Sequence, residues 1–106
     1  MAGKIIPLSR KYEFPGIEPF DAVTLRSPTY REIFIDGIGE PREVHVVAGQ
    51  PMVVTHYEAI DRHLMNICKS PSYDALAVLE AVDAIDVANA VCDFFLKREA
   101  SPTLPT

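Results

Sequence analysis

Tryptophan is absent from this chain, and cysteine occurs only twice in 106 residues. Two cysteines cannot form the framework of a disulfide scaffold, and no C-x-x-C pair suggests zinc. Cys68 and Cys92 both fall among apolar residues on predicted helices. A bridge between them is open. A chain of this length already buries about two thirds of its unfolded surface, so buried thiols in a reducing compartment are the expectation. Long hydrophobic runs are also missing. With no stretch of about 18 apolar residues, no membrane span is expected. The opening "MAGKIIPLSRKYEF" has too short an apolar run for a signal peptide. These features together predict a cytoplasmic protein.

Positive charge is missing where it would be most informative. Residues 71–96 hold Asp74, Glu80, Asp83, Asp86 and Asp93 but no Lys or Arg. That segment accounts for the whole net charge of −5. No basic patch is visible, which argues against nucleic-acid binding. A hydrophobic content of 48% is ordinary for a globular chain and too high for a disordered one.

Catalytic patterns are equally scarce. There is no glycine-rich phosphate loop, no G-x-S-x-G and no paired carboxylates expected in a polar cleft. His45, His56 and His63 are the only histidines. His56 and His63 stand seven residues apart, about 10 Å along a helix, too far to share one metal ion. They are expected to be satisfied surface or boundary residues. Cys68 and His63 fall on different parts of one helix surface, so a cysteine nucleophile with a histidine base is not expected. Carboxylates at 83, 86 and 93 are read as solvated helix charges. The expectation is a non-enzyme without metal or cofactor.

Turn and capping signals divide the chain. Residues 4–14 and 20–26 read as two strands joined by "PGIEP", with Pro7 confining the first to a sheet edge. A short helix over 28–35 starts either with Pro28 at its first position or with Thr29 as cap. Thr29 and Glu32 have the spacing of a capping box. Arg26, at the strand-to-helix join, is expected to bind free carbonyls, Asp21 or Glu32. The segment "EVHVVAGQPMVVT", residues 43–55, reads as a second hairpin with a longer turn over Ala48–Pro51.

From Thr55 the pattern becomes helical. Tyr57, Ile60, Leu64, Ile67 and Cys68 form one apolar stripe, with a Thr55–Glu58 capping box at its start and an end near Lys69. Residues 72–82 suit a second helix, and Asp83 and Asp86 mark the start of a third running to about Glu99. The fold class is therefore α+β: N-terminal hairpin, short helix, second hairpin, then two to three C-terminal helices. One domain over 1–99 is expected, followed by a flexible tail over 100–106.

The last helix is unusually apolar. Between Ala84 and Leu96 only Asp86, Asn89 and Asp93 are polar, and they share one narrow stripe. Either the rest of the chain wraps this helix, or one flank stays available for a partner. That flank would comprise Val87, Val91, Phe94, Phe95 and Leu96.

These pieces resemble the small tail assembly chaperones of long-tailed phages of the Mu-like and related types. The resemblance rests on Leu25-Arg26-Ser27-Pro28 at the end of the second strand. It also rests on "LAVLEAVDAIDVANAVCDFFL", where Leu79, Asp83 or Asp86, and Val91 lead to the pair Phe94-Phe95. It covers both ends of the chain, about 60 residues; the 43–55 hairpin departs from the pattern. The resemblance implies a non-enzymatic protein acting in the bacterial host cytoplasm, encoded by a phage or prophage. It would bind the tape measure protein transiently, help tail tube protein polymerise around it, and be absent from the finished virion. Related phages make a longer form by ribosomal frameshifting near the gene's end. The alternatives are a small tail or neck subunit retained in the virion and a small bacterial adaptor or regulator. A homo-oligomer is compatible with the apolar surplus.

Overall fold

A computed structural model describes residues 3–96. The domain limit at 99 and the tail 100–106 lie outside the described residues; the last helix, expected to run to about Glu99, ends earlier, at Asp93, and residues 94–96 form a turn.

The first two strands, β1 (Lys4–Tyr12) and β2 (Phe20–Leu25), pair antiparallel, with Ile6 opposite Val23 and Lys4 opposite Leu25. Alternation decides which side is covered: Ile6, Val23 and Leu25 are buried, whereas Ile5 faces out. β1 lies at the sheet edge, as Pro7 requires. The register shifts between Pro7 and Tyr12.

After β2 the chain makes a single wide helical turn, Arg31–Ile35, closed by Asp36 N–H donating to the Arg31 carbonyl. This is shorter than the helix expected over 28–35. A second antiparallel pair follows, β3 (Arg42–Val47) and β4 (Gln50–Thr55). Its turn has two residues, Ala48 (φ 54°) and Gly49 (φ 80°), not the longer loop expected. Positive φ at both central positions is the type I′ geometry whose twist matches that of a hairpin. Pro51 therefore lies within β4, opposite Val46. That pair is one step beyond the turn-closing pair Val47–Gln50, so it is a non-hydrogen-bonded pair and proline costs the ladder no bond.

Helix α1 (Tyr57–Ile67) begins after His56, without a side-chain cap. The expected Thr55–Glu58 capping box is not formed, because Thr55 belongs to β4. Ile60, Leu64 and Ile67 are buried as the stripe predicts, while Tyr57 at its edge is 75% exposed. The helix does not reach Lys69. Cys68–Ser70 turns extended and forms β5 against the free side of β2, with Leu25 opposite Cys68. Pairing a strand edge that would otherwise be unbonded outweighs two more helical residues.

Residues Tyr73–Val78 form a 3₁₀ turn instead of the expected 72–82 helix. The break falls at Leu79 and Glu80, both extended, and α2 (Ala81–Asp93) starts before Asp83 rather than at it. The helices α1 and α2 contribute Ile60, Leu64, Ile67, Val87, Ala90, Val91 and Cys92 to a core shared with Ile6, Val23 and Leu25 of the sheet. The β3–β4 hairpin contributes nothing to that cluster.

Ala48 is the one non-glycine described residue with positive φ, a conformation that asparagine tolerates better. Ala48→Asn should stabilise the hairpin by about 0.5–1 kcal/mol, measured as slower amide exchange in β3 and β4 with the core amides unchanged.

Candidate functional site

The strand-to-turn join is a built junction. Both terminal nitrogens of Arg26 face the Glu32 carboxylate, Nη1 at 3.1 Å from Oε1 and Nη2 paired with Oε2. The same guanidinium donates to the Ser27 carbonyl (3.1 Å) and to the Asn66 carbonyl (3.0 Å), while the Arg26 N–H donates to the Ile67 carbonyl (3.0 Å). Arg26 thus satisfies carbonyls at the C-terminus of α1, where a cation is also favoured by the helix dipole. Glu32 accepts from the Thr29 N–H at 3.0 Å, and Glu32 N–H donates back to the Thr29 hydroxyl at 3.3 Å. The expected capping box is present. Leu25 is fully buried and Pro28 half-buried.

Asp83 forms a second junction. It is 1% exposed, and its carboxylate accepts from the Ser9 N–H (2.9 Å), the Ser9 hydroxyl (2.8 Å) and the Tyr12 hydroxyl. The Tyr12 oxygen in turn accepts from Glu80 N–H at 3.1 Å. The first turn of α2 is therefore fastened to β1, and Asp83 is not a solvated helix charge. Asp86, one turn on, is exposed.

The residues expected to form a partner-binding flank are placed otherwise. Val87 (2% exposed) and Val91 (0%) are core residues. Phe94 packs against that core with the Lys4 ammonium 5.1 Å from its ring centroid, and Phe95 lies 5.3 Å from the His63 ring. Only Leu96 is exposed. The reason is geometric: α2 closes one side of the sheet, so the stripe at 83, 87, 90 and 91 turns inward. Val82 and Ile85 take the outward positions.

An uncovered apolar face lies elsewhere, on the β3–β4 hairpin. Val44 pairs with Val53 and Val46 with Pro51, so all four share one face. Val44, Val46 and Val53 are 64%, 74% and 59% exposed. On the opposite face the Glu43 carboxylate lies 2.8 Å from His45 Nε2 and 3.1 Å from His56 Nε2, anchoring the hairpin base to the start of α1. His56 N–H donates to the Pro41 carbonyl at 2.8 Å, a second tie at the same place. The alternating valines of "EVHVV" and "PMVV" were visible in the sequence, but alternation alone reads as a covered face.

His63 is fully buried, contrary to the surface or boundary position expected for it. Its Nε2 lies 2.8 Å from the Gly39 carbonyl, and its Nδ1 has no partner. Both cysteines are free, and burial pushes each thiol up from its ordinary pKa, which disfavours the nucleophilic thiolate. Cys68 lies in β5 rather than on a helix. Among the described residues, no group of His, Cys, Asp and Glu is placed to hold a metal ion. Among them, no helix is long and apolar enough to cross a membrane. No family model, curated protein or solved structure matches this chain.

The hydrogen bond from Arg26 holds the Glu32 carboxyl below its ordinary pKa, despite the opposing effect of burial. The Tyr12 hydroxyl does the same for Asp83, with Ser9 assisting. A carboxylate lowered on folding contributes stability that is complete above its unfolded pKa of about 4 and lost as pH falls through the lowered value. Wild-type stability should therefore decline below about pH 4, and Glu32→Gln and Asp83→Asn should each flatten that acid limb in urea unfolding. Arg26→Ala should cost about 1–2 kcal/mol at neutral pH, given a partly exposed site. Arg26→Lys should recover less than half of the loss, because an ammonium cannot reproduce the two-pronged contact.

Proposed function

We propose that this chain is a non-enzymatic tail assembly chaperone of a long-tailed phage or prophage. In the bacterial host cytoplasm it covers an apolar segment of the tape measure protein for a limited time. It helps tail tube protein polymerise around that segment and leaves before the virion is complete. The observation that carries this reading is the uncovered face of Val44, Val46, Pro51 and Val53 on a hairpin fastened at its base. An isolated two-stranded hairpin is marginally stable, and an exposed apolar face on one is a place for another chain.

Magnitudes favour a reversible complex. Covering a valine contributes about 1.5 kcal/mol, so three of them, about 4.5 kcal/mol, match only the low end of the cost of association, about 4–15 kcal/mol. Backbone pairing along a free hairpin edge supplies further affinity without demanding one sequence. A holder that must later let go gains from such a modest surface. The Leu25-Arg26-Ser27-Pro28 signature supports the reading differently: it sets the junction between sheet, turn and α1, and so the frame that carries the hairpin.

The double variant Val44→Asp/Val46→Asp leaves the core untouched, so its circular dichroism should match that of the parent chain. Its co-purification with the tape measure protein should fall at least about tenfold, a loss of roughly 1.4 kcal/mol. Undiminished capture would overturn the assignment of the surface. Detection of the chain at stoichiometric level in purified virions would instead identify a retained tail or neck subunit.

A further inference from the structure

A second recessed surface lies away from the hairpin, where α1, the 3₁₀ turn and α2 meet. It is a cavity of about 390 Å³, within the size range of ligand and side-chain pockets. Leu64, Leu76, Leu79 and Val87 form its buried and half-buried lining, and Ala77 and Ala84 stand exposed at its mouth. Both alanines are too short to close it. The charged residues lining it, Asp61 and Asp74, have the same sign and are both exposed. Tyr73 donates its hydroxyl to Asp61 Oδ1 at 2.6 Å, which leaves Asp61 Oδ2 free for a cation. The surrounding segment 71–96 carries five carboxylates and no Lys or Arg.

We infer that this groove is a docking site for an amphipathic helix of a partner protein that carries bulky apolar anchors flanked by Lys or Arg. The apolar lining takes the anchors, and the acidic rim selects the flanking charge. A helix suits the place better than an extended segment. Most of its wall comes from helical elements, which present no strand edge to an incoming chain, and a helix satisfies its own backbone groups. Two leucines four residues apart lie on one face of such a helix and enter together. A segment of the same pattern with Glu in place of Lys meets like charge at Asp61 and Asp74 and is rejected, so the rim supplies specificity as well as attraction. The inference is independent of the hairpin's role, because the groove shares no residue with β3 or β4.

The test uses the purified chain and two fluorescent synthetic helical peptides. One carries two leucines at i and i+4 flanked by lysines; its twin has glutamate at each lysine position. Fluorescence anisotropy should show the lysine peptide binding at least about tenfold more tightly than the twin at low salt. The gap should narrow as ionic strength rises from about 0.05 to 0.5 M. Ala84→Trp fills the mouth from an exposed position and should weaken the lysine peptide at least about tenfold. Asp61→Asn/Asp74→Asn, which retains a hydrogen-bond acceptor for Tyr73, should weaken it about fivefold and leave the twin unweakened. Val44→Asp/Val46→Asp should have no effect. Equal binding of the two peptides, no binding of the lysine peptide, or indifference to Ala84→Trp would overturn the inference. A concentration-dependent dimer in sedimentation that Ala84→Trp dissolves would also overturn it, by assigning the groove to a second copy.

Discussion

Arg26 joins the end of β2, the wide turn and the C-terminus of α1 at one point. Its guanidinium lies between the Glu32 carboxylate on one side and the Asn66 carbonyl of α1 on the other, while its own N–H bonds the Ile67 carbonyl. The contacts satisfy a largely buried carboxylate, a helix-end carbonyl without an intrahelical partner and a strand-end amide. Sheet, wide turn and first helix are thereby joined at one point. The planar fork of arginine is what allows one side chain to serve three directions.

Asp83 performs the corresponding task at the other side of the molecule. Its carboxylate draws Ser9 and Tyr12 of β1 against the first turn of α2, and Tyr12 in turn accepts from the backbone of Glu80. With α2 fixed there, its inward stripe closes the core and Val87 and Val91 are sealed. A helix this apolar need not be an interaction surface. Here it is the element that covers the sheet, and of its large apolar residues Val82 and Ile85 turn outward, with Ala81 and Ala84.

A packed body with two firm junctions can carry an unpacked appendage. The β3–β4 hairpin is held at its base by the Glu43–His56 and Arg42–Asn89 contacts and by the Pro41 carbonyl, and its valine face covers nothing in the main core cluster. This division of labour fits the proposed role of covering another chain and releasing it. The stable part keeps its shape, and the exposed part offers apolar area at modest affinity.

The amino-acid order by itself determined what depends on neighbours along the chain. The α+β class, the first hairpin, the Thr29–Glu32 capping box and the buried face of α1 all follow from local periodicity and capping, which operate within a few residues. Arg26 as a structural group was legible for the same reason, since Glu32 lies only six residues away. The rest was decided by contacts between distant segments. Cys68–Ser70 left a helix to complete a sheet edge, and Asp83 reached back 74 residues to Ser9. Periodicity specifies that Val87 and Val91 share a face, as Val44 and Val46 do. Which face is covered depends on what folds over it, and only the assembled sheet and helices settle that.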